Sequence, residues 1–120
     1  MGSYKDLRVW QRAMELVTEI YRLTKQLPES ERYGLINQMQ RAAVAVPSNI
    51  AEGQKRRYIK EFLQFLYISY GSGAELETQL EICKRLYNEK RIDYSKADEV
   101  LQDVMKMLNA LIRALKQKAL

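Results

Sequence analysis

A chain of 120 residues is long enough to form one domain around a single hydrophobic core and does not require a second domain. Its 20 Lys and Arg against 15 Asp and Glu give a net charge of +5 and an isoelectric point near 9.3, which favours an anionic partner such as RNA or DNA. Histidine is absent and cysteine occurs once, which excludes a histidine general base, a cysteine-rich zinc site and an internal disulfide.

Other classes of protein are also disfavoured. Apolar runs are far shorter than a membrane span and no leader-like segment opens the sequence, so we expect a cytoplasmic protein without a membrane partner. The sequence contains no glycine-rich phosphate loop, and the carboxylates Glu75, Glu77 and Glu81 are typical of a solvated helix face. We therefore expect no enzymatic activity, no cofactor and no metal site, and we expect Cys83 to behave as a small buried hydrophobe.

The first predicted helix spans about residues 6–27. Asp6 is placed to cap it, and apolar residues then recur at steps of three and four, the spacing of a helix face turned toward a core. Pro28 is expected to end it, because the residue before a proline is displaced from helical backbone angles. The apolar series is Trp10, Ala13, Leu16, Val17, Ile20, Leu23, Thr24 and Leu27.

The second predicted helix spans about residues 34–53 and contains Pro47 within its apolar period. Because Pro47 has no amide hydrogen, the helix must bend or the carbonyl of Ala43 must find another donor. Gly53 is expected to end the helix in the left-handed conformation. The core-facing residues are Met39, Ala42, Val46 and Ile50.

A line of polar side chains, which we call the polar line, follows a neighbouring face of this helix. One interpretation is a binding surface. The interpretation that we favour is structural: Ser48 and Asn49 supply donors near the proline, while Arg41 and Glu52 pair with charged groups on adjacent helices. The polar line consists of Gln38, Arg41, Ser48, Asn49 and Glu52.

A basic connection follows the second helix. Cations at a helix N-terminus oppose the macrodipole, which slightly favours anion binding over a merely solvated helix start. Tyr58 lies beside them and offers a ring on which a base can stack. The predicted nucleic-acid-binding residues are Lys55, Arg56, Arg57 and Lys60, with Lys5, Arg8 and Arg12 from the start of the first helix.

The third predicted helix spans about residues 58–88, and its first half is apolar in nearly every direction. Since three partner helices cover only one broad side, the remaining surface predicts contact with another subunit, with core packing as the alternative for some residues. Gly71 and Gly73 each cost about 1 kcal/mol relative to alanine, which is tolerable where two backbones approach closely. The predicted oligomer interface is Phe65, Tyr67, Ile68 and Tyr70.

The fourth predicted helix spans about residues 95–118. Ser95 is placed to cap it, with Asp98 where a capping box needs a carboxylate. Leucine and valine then repeat at steps of three and four, as in a bundle seam. Four helices with short connections and no strand pattern predict an all-α fold, an antiparallel up-down-up-down four-helix bundle that forms one domain over residues 1–120. The seam is Leu101, Val104, Leu108, Leu111 and Leu115.

Three segments also resemble a known family. They are DLRVWQRAMELVTEIYRLTKQLP, ERYGLINQMQRAAVAVPSNIAEG and EFLQFLYISYGSGAELETQLEIC. Gln38, the triplet 41–43, the stretch 49–53 and the pair 71–72 fall in the order and spacing found in four-helix-bundle proteins encoded by intervening sequences of bacterial 23S rRNA genes. The resemblance implies a homopentameric barrel with a basic surface. Relatives of this family include the accessory variability protein of diversity-generating retroelements, a protein associated with nucleic acid and a reverse transcriptase, which implies RNA or DNA and a protein as possible partners here.

Two functional hypotheses follow. The leading one is a non-enzymatic, basic homo-oligomer that binds RNA or other nucleic acid through phosphate contacts. Five chains of net charge +5 would carry +25, so a weak patch on one chain would become multivalent. The alternative is a protein-interaction scaffold that recruits a partner such as a polymerase through the apolar surface of the third helix.

Overall fold

The computed structural model describes residues 2–119, so residues 1 and 120 at the ends of the predicted domain lie outside the described part. Within it no strand occurs, and no helix has the length and apolar content needed to cross a bilayer. Two single-turn 3-10 helices, Tyr4–Asp6 and Glu29–Glu31, precede the first and second α-helices. The α-helices are α1 (Arg8–Thr24), α2 (Leu35–Gln54), α3 (Ile59–Leu86) and α4 (Ser95–Ala119).

Each helix packs against two neighbours, so that α1 and α3 both contact α2 and α4. Consecutive helices run in opposite directions. Gln40 near the start of α2 donates to the hydroxyl of Thr24 at the end of α1, at 3.1 Å. Lys84 near the end of α3 pairs with Asp98 in the first turn of α4, at 2.8 Å. The predicted all-α, antiparallel up-down-up-down bundle is confirmed.

The apolar residues predicted from their helical spacing to face inward form most of the core. The four core-facing residues of α2 are buried, as are Leu101, Val104 and Leu108 of α4, while Leu111 and Leu115 are half-buried. Cys83 is fully buried, as predicted, and its Sγ donates to Sδ of Met39 at 3.4 Å. Burial raises the pKa of the Cys83 thiol to about 11, so it stays protonated at neutral pH.

The predicted caps of α1 and α4 are wrong. Asp6 lies in the 3-10 turn, where its carboxylate accepts from the amide of Ser3, and the N-cap of α1 is Leu7, which provides no side-chain bond. Ser95 is the first residue of α4, and its amide and hydroxyl both donate to Asp93, which lowers the pKa of that carboxyl. Asp98 binds Lys84 instead of closing a capping box, because α3 passes beside the start of α4.

The predicted left-handed cap at Gly53 is also wrong. No described glycine has a positive φ, and Gly53 lies buried inside α2, which continues to Gln54. A Cβ placed on Gly53 would lie 2.7 Å from Cβ of Phe65 and 3.2 Å from the carbonyl oxygen of Phe62, both in α3. Glycine is required here because α2 and α3 cross too closely for a side chain.

The helix α2 continues through Pro47. The hydroxyl of Ser48 donates to the carbonyl of Val44 at 2.7 Å, and the amide of Asn49 donates to that of Ala45 at 2.8 Å. These residues therefore do bond to helix carbonyls, but to the two that follow Ala43 rather than to Ala43 itself. From α3, Ser69 donates to the carbonyl of Val46 at 2.9 Å, which links the two helices at the level of the proline.

Candidate nucleic-acid interface

One end of the bundle collects the excess positive charge. The antiparallel topology brings together the start of α1, the end of α2, the start of α3 and the end of α4. Residues 2–11, 50–63 and 109–119, which we call the basic end, contain nine Lys or Arg against three Asp or Glu, a net charge of +6. At the opposite end, residues 20–38 and 80–100 contain eight Lys or Arg against seven Asp or Glu, a net charge of +1. The positive charge of the chain is therefore concentrated at one end.

The N-terminal segment packs onto the end of α2. Gln54 donates to the carbonyl of Gly2 at 3.5 Å, and Nζ of Lys55 lies 5.5 Å from the centre of the Tyr4 ring. Tyr4 in turn contacts Trp10 edge-on, with ring centres 5.2 Å apart. The fold thus places the predicted residues Lys5 and Arg8 at the same end as Lys55, although they are far apart in sequence.

The cations at the junction of α2 and α3 are held differently. They are Lys55, Arg56, Arg57 and Lys60. The guanidinium of Arg56 lies 4.7 Å from the ring centre of Phe65 and 3.8 Å from the Glu52 carboxylate, so it is fixed and partly neutralised. Arg57 and Lys60 are exposed, and within residues 2–119 neither has a carboxylate within 4.0 Å. Arg57 and Lys60 are therefore free to meet an anion.

Arg12 does not belong with these cations. It is half-buried between α1 and α4, where it donates to Asp103 at 2.6 Å and to Glu15 at 2.5 Å, with Glu99 at 3.7 Å. The hydrogen bonds that Arg12 donates, first to Asp103 and then to Glu15, raise the pKa of its guanidinium. Since three carboxylates compensate its charge, we remove Arg12 from the candidate interface and assign it to α1–α4 packing.

Three exposed cations at the end of α4 complete the basic end and were missed by the sequence analysis. The signal was available, because an even-numbered helix of an up-down bundle ends where the first one begins. Basic side chains also favour the last turn of a helix, which gives the presence of Lys116 and Lys118 a local explanation. The added residues are Arg113, Lys116 and Lys118.

The polar line does not pair as predicted. The partner of Glu52 is Arg56, one turn further along the same segment, rather than a group on another helix. Arg41 is exposed, and no carboxylate of residues 2–119 lies within 4.0 Å of its guanidinium. With Gln38 it lines a polar groove that Glu75 of α3 also borders. The predicted ion pairs of Arg41 and Glu52 with adjacent helices are therefore wrong.

The predicted interface on α3 is largely open to solvent. Tyr67, Ile68 and Tyr70 are 48%, 53% and 37% exposed, whereas Phe65 is half-buried beneath Arg56. Gly71 faces outward, and a Cβ added to it would meet no atom within 4 Å. The close approach that we expected at this glycine therefore does not occur within the chain. The sequence analysis missed Ile82 and Leu86, exposed apolar residues further along α3.

Gly73, by contrast, faces α4, where an added Cβ would collide with Sδ of Met105.

At the opposite end of the bundle, the hydroxyl of Tyr87 donates to Glu31. This hydrogen bond raises the pKa of Tyr87 to about 12 and connects the second 3-10 helix to the end of α3. No group of three or more His, Cys, Asp or Glu in the described chain is arranged to hold a metal ion. The contacts of Gly73 and Tyr87 therefore contribute to packing rather than to ligand binding.

Comparison with known proteins agrees with this architecture. The family model of the 23S rRNA-intervening sequence protein matches residues 5–110. A crystal structure of a protein with unknown function from the S23 ribosomal protein family of Bacteroides thetaiotaomicron VPI-5482 has the same fold, with a TM-score of 0.78 and 23% sequence identity over 88% of this chain and 95% of that chain. No curated protein matches the chain. On the extent of the family match, the chain belongs to the 23S rRNA-intervening sequence protein family.

Proposed function

We propose that this protein is a non-enzymatic, homo-oligomeric helical bundle that binds RNA or other nucleic acid through phosphate contacts at the basic end. The observation that carries the proposal is the net charge of +6 gathered at one end of the bundle. Phosphate recognition needs cations that are exposed and uncompensated, as Arg57 and Lys60 are. Structured RNA is the first ligand to test, because its folded backbone presents many phosphates to a compact basic surface.

Assembly would multiply this charge. The exposed apolar side of α3, with Tyr67 and Ile68 around the uncovered Gly71, supports contact with a second copy of the chain. In a closed ring whose rotation axis runs along the helices, every basic end lies on the same face. A pentamer, the state implied by the family resemblance, would present five such ends to one polyanion.

The proposal predicts a steep dependence of RNA affinity on salt. Four phosphate contacts would lower the affinity about 100-fold between about 50 and 200 mM salt, because each contact releases a counterion. Fluorescence anisotropy with a labelled RNA hairpin measures the slope of log affinity against log salt concentration. An affinity that does not change with salt would contradict phosphate binding.

The assembly part predicts that Tyr67→Lys yields a folded protein of lower mass in light scattering. Tyr67 is half exposed in the single chain, so its replacement should leave the fold intact while placing a charge in the proposed subunit contact. Tyr21→Lys is the matched control, because Tyr21 lies on α1 and is 42% exposed. A wild-type protein that scatters as a monomer would rule the assembly out.

A second candidate function is a protein-interaction scaffold that recruits a partner such as a polymerase. The apolar side of α3 favours it, because the same exposed residues suit a protein partner. A pull-down with and without nuclease treatment separates the candidates. A partner retained after nuclease and lost in Tyr67→Lys supports the scaffold, whereas a partner lost on nuclease treatment is bridged by nucleic acid.

A further inference from the structure

We infer that Tyr58, between Arg57 and Lys60, is a stacking site for an unpaired nucleobase. The ligand of the basic end would then be single-stranded or looped nucleic acid rather than a continuous duplex. This inference rests on the proposed function and specifies its ligand.

Among the aromatic residues that the structure describes at the basic end, Tyr58 is the one that is exposed to solvent rather than half-buried. It is 61% exposed. Tyr4 is already engaged by Lys55 and Trp10, and the ring of Phe65 is covered by Arg56. An exposed ring next to free cations is the combination with which proteins bind single strands, since the ring stacks on a base while the cations meet the flanking phosphates.

Helix stability does not explain a tyrosine at this position. Tyr58 is the N-cap of α3, and its side chain makes no capping hydrogen bond. Serine, threonine, aspartate or asparagine would satisfy one of the free amides of α3. Core packing does not explain it either, because most of the side chain is in solvent. The ring is thus an exposed group without a structural role within the chain.

Arg57, Lys60 and the carboxylate of Glu61 lie within three residues of Tyr58 in the chain. Arg57 precedes Tyr58, and Lys60 lies in the first turn of α3. Glu61 is the acidic residue of that turn, and as the next residue it lies about 100° further around the helix than Lys60. Glu61 therefore does not share the direction of Lys60, so a phosphate that meets Lys60 is not directly opposed by this carboxylate.

Base stacking distinguishes this site from phosphate binding alone. In a duplex the bases are paired and stacked on one another, so their faces cannot meet a protein ring. A strand that lacks bases keeps its phosphates but offers nothing to stack. The affinity for a duplex or an abasic strand therefore depends on the cations alone. The affinity for an unpaired strand depends on the cations and on Tyr58.

The test is fluorescence anisotropy with labelled strands of about 12 nucleotides, a length within the usual site size for single strands. The probes are oligouridine RNA, oligothymidine DNA, an abasic DNA strand and a DNA duplex. Tyr58→Ala should weaken binding of the two unpaired probes about tenfold and leave the abasic strand and the duplex nearly unchanged. Tyr58→Phe, which keeps the ring, should bind like the wild type.

Tyr33→Ala is the matched control, because Tyr33 is 84% exposed and lies beside Arg32 at the opposite, nearly neutral end. It should bind every probe like the wild type. Tyr58→Ser should be at least as resistant to heat as the wild type, since serine can cap α3, and should still lose the unpaired probes. Loss of binding in that variant cannot then be attributed to unfolding.

The outcomes separate the two proposals. If wild-type binding is steep in salt but Tyr58→Ala weakens all probes equally or none, the stacking site is overturned and the phosphate interface stands. If the wild type binds no probe, both fall. If Tyr58→Ala weakens binding of the oligouridine RNA alone, the stacking site is supported and RNA is identified as its ligand.

Discussion

Replacing Arg57 and Lys60 together by glutamate should weaken RNA binding about 100-fold at moderate salt. Each substitution removes one attraction to a phosphate and adds one repulsion, together worth about 1–2 kcal/mol at a solvated surface. Both side chains are exposed and have no carboxylate partner among the described residues, so no internal ion pair is broken. The slope of log affinity against log salt should become shallower by about two.

The control for this variant is Lys25→Glu combined with Lys90→Glu. It changes the net charge of the chain by the same amount, but both residues belong to the opposite end of the bundle. Each is exposed and, in the part of the chain that the structure describes, forms no ion pair. Equal weakening in both double variants would show that total charge, rather than the basic end, governs binding.

The helices could be predicted from sequence because their main signals are local. The spacing of Met39, Ala42, Val46 and Ile50 depends only on the pitch of a helix, and these residues are buried as expected. The same holds for the seam of α4, whose first three residues are fully enclosed. Connecting four such stripes through short loops leaves little choice of topology.

Two of the errors concern residues whose partners are distant in sequence. Arg12 has the position of a solvent-facing residue on α1, and only the fold brings it to Asp103, which is 91 residues away. Asp98 has the spacing of a capping box, but a cation from α3 competes for its carboxylate. A local pattern cannot show which of two plausible partners a charged side chain will meet.

The candidate site was only partly visible for the same reason. Lys55, Arg56 and Arg57 are consecutive and Lys60 follows closely, so the sequence displays these cations directly. Arg113, Lys116 and Lys118 join them only because α4 ends at the level where α3 begins. How many of these cations are free follows from contacts such as that between Arg56 and Phe65, which no spacing predicts.

Gly53→Ala should destabilise the protein by about 1–3 kcal/mol, although alanine has the higher helix propensity. The added Cβ would lie 2.7 Å from Cβ of Phe65 and 3.2 Å from the carbonyl oxygen of Phe62. That oxygen belongs to the backbone of α3, so it cannot rotate away as a side chain does, and α2 and α3 must separate. Urea unfolding at equilibrium measures the loss of free energy of unfolding.

Gly71→Ala is the opposite case on the neighbouring helix. An added Cβ there meets no atom within 4 Å, so the higher helix propensity of alanine should raise the stability by up to about 1 kcal/mol. Both variants are best compared in the Tyr67→Lys background, where subunit contacts should not contribute to stability. A neutral or stabilising Gly53→Ala would contradict the close crossing of α2 and α3. Because the connection carrying Arg57 and Tyr58 follows directly from that crossing, Gly53→Ala should also weaken RNA binding at temperatures where the bundle remains folded.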